Sequence, residues 1–270
     1  MHNHTTASHF KPVLLLAFLL LSSMAFSQGR VLFMGDSITD GGWGRSGGEG
    51  LSSEKRNHWD MNHIHGHSYM MLCASYLEST FPEKGYACFN RGISGDDISR
   101  IKARWQKDAL DLHPDVLSIL EGINDIHYFL NAASKAGSEP QVSDFDMDSW
   151  ENQLRELIQR SQEENPGLRV LLCTPFTDKV GSTGSSKDYP VGKALVDEMA
   201  SRIRRLSGEM GLQLVDFNNL FNELKRDHPT LRNDYWIWDG IHPTPAAHHR
   251  MAQLWLKVFL GEGFPGTLQP

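Results

Sequence analysis

Five short apolar runs, each followed by a stretch of different period, constrain this chain more than any other feature. They lie at 30–34, 86–89, 116–120, 168–173 and 212–217. None alternates apolar with polar residues over its length, so each reads as a strand buried on both faces. Between them the spacing turns helical. Tyr69, Leu72, Cys73, Tyr76 and Leu77 share one face, and Ile98, Ile101 and Trp105 mark a helix over 96–109. Trp150, Leu154, Leu157 and Ile158 mark another, stopped by Asn165-Pro166-Gly167. Val191, Leu195, Met199, Ile203 and Leu206 mark a long helix, and 246–259 closes the chain with Met251, Leu254, Trp255 and Val258 inward. The alternation predicts an α/β fold: a mainly parallel five-stranded sheet, covered on both faces, with right-handed crossovers. The Ser-, Thr- and Gly-rich stretch 181–187 reads as a mobile loop.

The first 27 residues stand apart. Lys11 precedes an unbroken apolar run over 13–21, and Ala25-Phe26-Ser27 offers small residues before Gln28. This reads as a signal peptide over 1–27, leaving 28–270 as a single domain exported to the periplasm or beyond the cell. The run is shorter than the ~20 residues that span a bilayer, and no cysteine follows it to carry a lipid. No stable membrane insertion is expected. A formal net charge of −7 argues against nucleic acid as a partner. The three cysteines, Cys73, Cys88 and Cys173, allow one disulfide at most, lack metal-ligand spacing and read as small buried hydrophobes.

In a parallel sheet, ligands bind beyond the carboxyl ends of the strands. Four polar motifs sit at that edge or just before the last helix. Gly35-Asp36-Ser37 follows the first strand, and Asn90-Arg91-Gly92-Ile93-Ser94-Gly95-Asp96 follows the second. Gly122-Ile123-Asn124-Asp125 follows the third, and Asp239-Gly240-Ile241-His242 precedes the final helix. A serine needs a base to become a nucleophile, and the base needs a third group to orient it. Ser37, His242 and Asp239 supply those three parts. Each has a plainer reading. Ser37 suits a helix N-cap, Asp239 and His242 suit a surface turn before Pro243, and Asn124-Asp125 suits a strand-end turn, with Asp125 structural.

Taken together and in this order, the four motifs resemble the blocks of the SGNH (GDSL-type) hydrolases. The resemblance spans Gly35 to His242; Ile38 stands where leucine is commoner. It implies a three-layer α/β/α sandwich of flavodoxin-like type and hydrolysis of an ester or thioester. It also implies roles: Ser37 as nucleophile, His242 as base, Asp239 as its orienting acid. The backbone N–H groups of Ser37 and Gly95 and the side-chain amide of Asn124 would form the oxyanion hole. No metal or cofactor is required. The G-x-S-x-G elbow of the α/β-hydrolases is absent.

His58, His63, His65 and His67, with Asp60 among them, form a second cluster. It could hold a metal, line a polar cleft or cap the next helix. Trp43, Trp59, Trp236 and Trp238 could stack on sugar rings, pack acyl chains or fill the core. The expectation is an exported serine esterase taking a small-molecule or glycan ester, removing O-acetyl or other short acyl groups from carbohydrate. The rivals are a lysophospholipase or thioesterase of the same fold, a catalytically silent glycan-binding protein, and a metallohydrolase using the histidine loop.

Overall fold

A computed structural model describes residues 29–180 and 187–268. The leader expected over 1–27 lies outside these residues, as does the loop expected over 181–187 except for Lys187.

Five parallel strands form one sheet: β1 (Arg30–Gly35), β2 (Ala87–Gly92), β3 (Val116–Leu120), β4 (Arg169–Cys173) and β5 (Gln213–Val215), in the order β2-β1-β3-β4-β5. This is the flavodoxin-like order. β1 is an interior strand, with Leu32 opposite Phe89 on one side and Leu117 on the other. Val31, Leu32, Phe33 and Met34 are wholly buried. Each such side chain contributes about 1.5–3 kcal/mol by leaving water. The one polar residue inside β3, Ser118, is satisfied: its Oγ accepts from Trp255 Nε1 at 2.9 Å.

The helices are α1 (Ser37–Asp40), α2 (Tyr69–Thr80), α3 (Ile98–Asp108), α4 (Ile123–Lys135), α5 (Met147–Glu164), α6 (Tyr189–Met210), α7 (Phe217–Asp227) and α8 (Pro245–Leu260). α2, α7 and α8 pack together as one layer, and α3, α5, α6 and α4 as another. Short polar caps start most of them. Asp97 accepts from Arg100 N, Asp146 from Ser149 N, Asp216 from Asn219 N and Thr244 from Ala247 N. The three-layer expectation holds.

Besides the single turn α1, two helices went unread in the sequence. The apolar run at 212–217 is a strand only to Val215; Asp216 then caps α7, and Phe217 belongs to that helix. α4 begins inside the motif that reads as a strand-end turn, and buries Ile123 and Ile126. Among the described residues no helix is long and apolar enough to cross a membrane. All three cysteines are free and buried.

β1 leads to β2 on one side, while β3 lies on its other side. That reversal of strand order opens a crevice at the carboxyl ends of β1 and β3. Ser37 follows the first of these strands and Asn124 the second.

Candidate active site

Gly35 ends β1 because nothing larger fits: a Cβ there would lie 2.4 Å from Thr39 Oγ1 and 2.7 Å from Leu120 O. The buried Asp36 then caps the single turn α1, accepting from Ile38 N at 2.8 Å. Ser37 occupies the first position of that turn. Its Oγ lies 2.9 Å from His242 Nε2, although the two are 205 positions apart. His242 Nδ1 lies 2.7 Å from Asp239 Oδ2. The other oxygen, Asp239 Oδ1, accepts the backbone N–H groups of Ile241 (3.0 Å) and His242 (2.8 Å). One carboxylate thus fixes both the turn and the ring. The turn is anchored from behind: Gly240 O accepts from Thr177 Oγ1 at 2.8 Å and Asp178 N at 3.0 Å.

Gly95 has φ +85°, a conformation that suits glycine. Its carbonyl accepts from Tyr128 Oη at 2.7 Å and Arg100 Nη1 at 3.2 Å, which holds the peptide in place. Among the described residues neither the Ser37 nor the Gly95 N–H meets a protein acceptor. Asn124 Nδ2 donates to Asp96 O at 2.8 Å; its second contact, to Asp36 Oδ2, is long at 3.5 Å. One amide hydrogen is therefore committed and the other is weakly held. Asp125, expected to be structural, accepts Ile98 N through both oxygens, at 3.2 and 3.3 Å.

The hydrogen bond to Asp239 raises the His242 pKa above the ordinary imidazole value, and the charge of Asp36 adds to it. Burial alone would raise the Asp239 carboxyl. Hydrogen bonds from the His242 ring and from two backbone N–H groups outweigh it, so Asp239 sits below the usual range. Asp36 is pushed up to about 7, first by burial and then by the nearby Asp96 and Asp40 charges. Glu121, buried beneath, is held well above 4.5 by burial and by Asp36 and Asp125. These acids had no role in the sequence reading.

The histidine cluster is dispersed. His58 Nε2 pairs with Ser53 O at 2.7 Å, His63 Nδ1 with Asp60 Oδ2 at 3.1 Å, and His65 lies beside Glu78. Among the described residues no group of three or more His, Cys, Asp or Glu could hold a metal. The tryptophans divide. Trp43 is core: its Nε1 donates to Gly92 O, and the guanidinium groups of Arg56 and Arg91 lie 4.7 and 5.0 Å from its ring centroid. Trp236 packs on the core, and Trp59 is 91% exposed. Trp238, 58% exposed, lies near-parallel to the His242 ring, the planes 28° apart.

A cleft of about 710 Å³ opens over Ser37 and His242, walled by Gly42, His67, Trp238 and His248. Sequence reading passed over His248, in the first turn of α8. The available signal was a histidine six residues beyond the Asp239–His242 motif.

The description GDSL-like lipase/acylhydrolase family matches residues 33–250. An acetylxylan esterase from Geobacillus stearothermophilus is 31% identical over 230 residues, 84% of this chain and 92% of that protein. A crystal structure of an acetylxylan esterase from that organism aligns with TM-score 0.67 and 28% identity, covering 92% of this chain and all of the other. Structures of serine-to-alanine and aspartate-to-alanine variants of that esterase are described as those of catalytic mutants. An alpha/beta hydrolase enzyme from the metagenome of Lake Arreo aligns with TM-score 0.65 and 25% identity, over 86% of this chain and 96% of its own.

Proposed function

Since the chain belongs to the GDSL-like lipase/acylhydrolase family, and is a carboxylic ester hydrolase, we propose that it removes O-acetyl groups from carbohydrate by a serine mechanism. The observation that carries this reading is the hydrogen-bonded line from Ser37 Oγ through His242 to Asp239, 2.9 and then 2.7 Å. The acetylxylan esterase relative supports the substrate class.

Ser37 Oγ attacks the ester carbonyl carbon and passes its proton to His242 Nε2. Asp239 holds the ring with Nδ1 protonated and stabilises the imidazolium. The carbonyl oxygen, now an oxyanion, takes hydrogen bonds from Ser37 N, Gly95 N and the weakly held Asn124 hydrogen. As the intermediate collapses, His242 gives its proton to the departing sugar oxygen. Water, deprotonated by the same ring, then attacks the acetyl-serine. Acetate leaves and Ser37 recovers its proton. The cycle balances with water as the only co-substrate.

Acetate release from acetylated xylan and xylo-oligosaccharides tests the reading, wild type beside Ser37→Ala. Wild type releases acetate, and the variant folds but is slower by at least ~10⁴-fold. Parental activity in Ser37→Ala overturns the nucleophile assignment. A preference for octanoyl over acetyl p-nitrophenyl esters overturns the substrate class in favour of a lysophospholipase or thioesterase. The export reading is tested separately: the protein recovered outside the cytoplasm begins at or near Gln28.

A further inference from the structure

We propose that His248, with His67 beside it, forms the subsite that holds the alcohol half of the ester, His248 donating a hydrogen bond from Nε2 to a sugar oxygen. The inference rests on the acetyl-carbohydrate reading above and adds the residues that recognise the sugar.

The direction of proton transfer sets where the alcohol lies. His242 Nε2 takes the proton from Ser37 and must return it to the leaving oxygen, so the departing alcohol occupies the His242 side of the nucleophile. The large cleft runs from Ser94 across Ser37 to that side, where Trp238, His242, His248 and His67 line it. A group with several hydroxyls in this cleft meets imidazole donors and an exposed indole face, a combination suited to a sugar's polar edge and apolar face.

The orientation of His248 is fixed by the fold. Tyr69 N, the first N–H of α2, donates to His248 Nδ1 at 3.1 Å. Nδ1 is therefore an acceptor, and the neutral ring carries its proton on Nε2. Burial, then the neighbouring His67 and His242, push the His248 pKa down to about 4, which keeps the ring neutral near pH 7. Among the described residues Nε2 meets no protein partner, and it is not sealed from solvent. It is a fixed, unsealed donor on a residue that lines the cleft. His67, on the loop before α2, lines the same cleft and is an electrostatic neighbour of His248. Its ring lies against Gly42, where a Cβ would come within 3.2 Å of Cε1.

Kinetics on two substrates test the subsite: an acetylated xylo-oligosaccharide, and p-nitrophenyl acetate, whose alcohol half has no sugar hydroxyls. The readout is the ratio of the two kcat/KM values. A neutral hydrogen bond contributes about 0.5–1.5 kcal/mol, roughly 2- to 13-fold. His248→Phe is expected to lower the ratio by about that factor, mainly through KM for the oligosaccharide. His67→Ala, at an exposed position, is expected to lower it in the same direction and covers the case in which His248→Phe fails to fold. A ratio unmoved by either folded variant overturns the subsite and leaves the acetyl esterase reading intact, as does an equal loss on both substrates. A wild type that cleaves p-nitrophenyl acetate but not the oligosaccharide overturns the substrate reading, and the subsite with it.

Discussion

Arg56 holds Asp40 with both terminal guanidinium nitrogens, at 2.5 and 2.8 Å, and both side chains are buried. The same carboxylate accepts Ser94 N at 2.8 Å and Gly42 N at 3.1 Å. Asp40 ends the turn that carries Ser37, and Ser94 precedes Gly95. The pair therefore ties the turn of the proposed nucleophile, the turn that leads into Gly95 and the long loop before α2 to one another.

Removing one partner of a buried pair leaves an uncompensated charge and costs about 3–5 kcal/mol. Arg56→Met should lower the unfolding free energy by that amount in a denaturant titration. Arg56→Lys keeps the charge but not the two-pronged grip, so it should fall between. An Arg56→Met protein as stable as the parent would show that the pair has no structural weight.

Asn124→Ala should lower kcat by roughly 10²- to 10³-fold with little change in KM, because a fixed oxyanion donor acts on the transition state more than on bound ester. Asn124→Asp should be worse. It places a further carboxylate beside the buried Asp36 and near Asp96, where burial already raises both acids. Steady-state kinetics on p-nitrophenyl acetate check both variants. Loss through KM alone would remove Asn124 from the oxyanion site.

The parts legible in the sequence were those that local pattern encodes. β1 and β3 read correctly because Val31–Met34 and Val116–Leu120 are apolar apart from Ser118, as strands buried on both faces must be. α4 was lost although Ile123, Ile126 and Leu130 have helical spacing, because its first turn coincides with the Gly122–Asp125 motif. α7 was lost because Phe217 extends the apolar run of β5, with only Asp216 to mark the break. The motifs of Ser37, Asn124, Asp239 and His242 could be read residue by residue. Arg56 could not. In a loop rich in Gly, Ser and His it looks like a solvated cation, and only the fold brings Asp40 to its guanidinium and Trp43 against it. His248 gains meaning only when α8 lies against the start of α2, 179 positions away.

Activity and stability respond to His242 in opposite senses. Under the proposed mechanism turnover needs the neutral ring, and the hydrogen bond that His242 donates to Asp239 raises its folded pKa. The acidic limb of kcat/KM should thus have its midpoint above the ordinary histidine value of ~6.5. Asp239→Asn should move that midpoint down while lowering the plateau. The stability contributed by the paired ring is present below ~6.5 and is lost as pH rises through the raised value. Asp239, whose folded pKa is depressed, contributes stability above its unfolded value of 3.8 that is lost as pH falls. A pH–rate profile of wild type and Asp239→Asn decides the point. An unmoved acidic midpoint would mean that another group sets the limb.

The buried acids beneath the site give the last expectation. Glu121 Oε1 accepts Gly122 N at 3.2 Å, while Oε2 is sealed without a partner. Burial, then Asp36 and Asp125, holds its pKa well above 4.5, and burial pushes Asp36 and Asp125 up to about 7. For an acid raised on folding, the native state binds more protons than the unfolded chain between the two pKa values. Stability therefore falls as pH rises through that window, at up to about 1.4 kcal/mol per pH unit for each group. The wild-type protein should lose stability from pH 5 to pH 8 through this cluster. Glu121→Gln keeps the acceptor for Gly122, carries no ionisable group and relieves Asp36 of a like charge. Its Tm should exceed the wild type's at pH 8 by more than at pH 5. Parallel Tm–pH curves for the two proteins would show that Glu121 titrates alike in the folded and unfolded chain, and would remove it from the cluster.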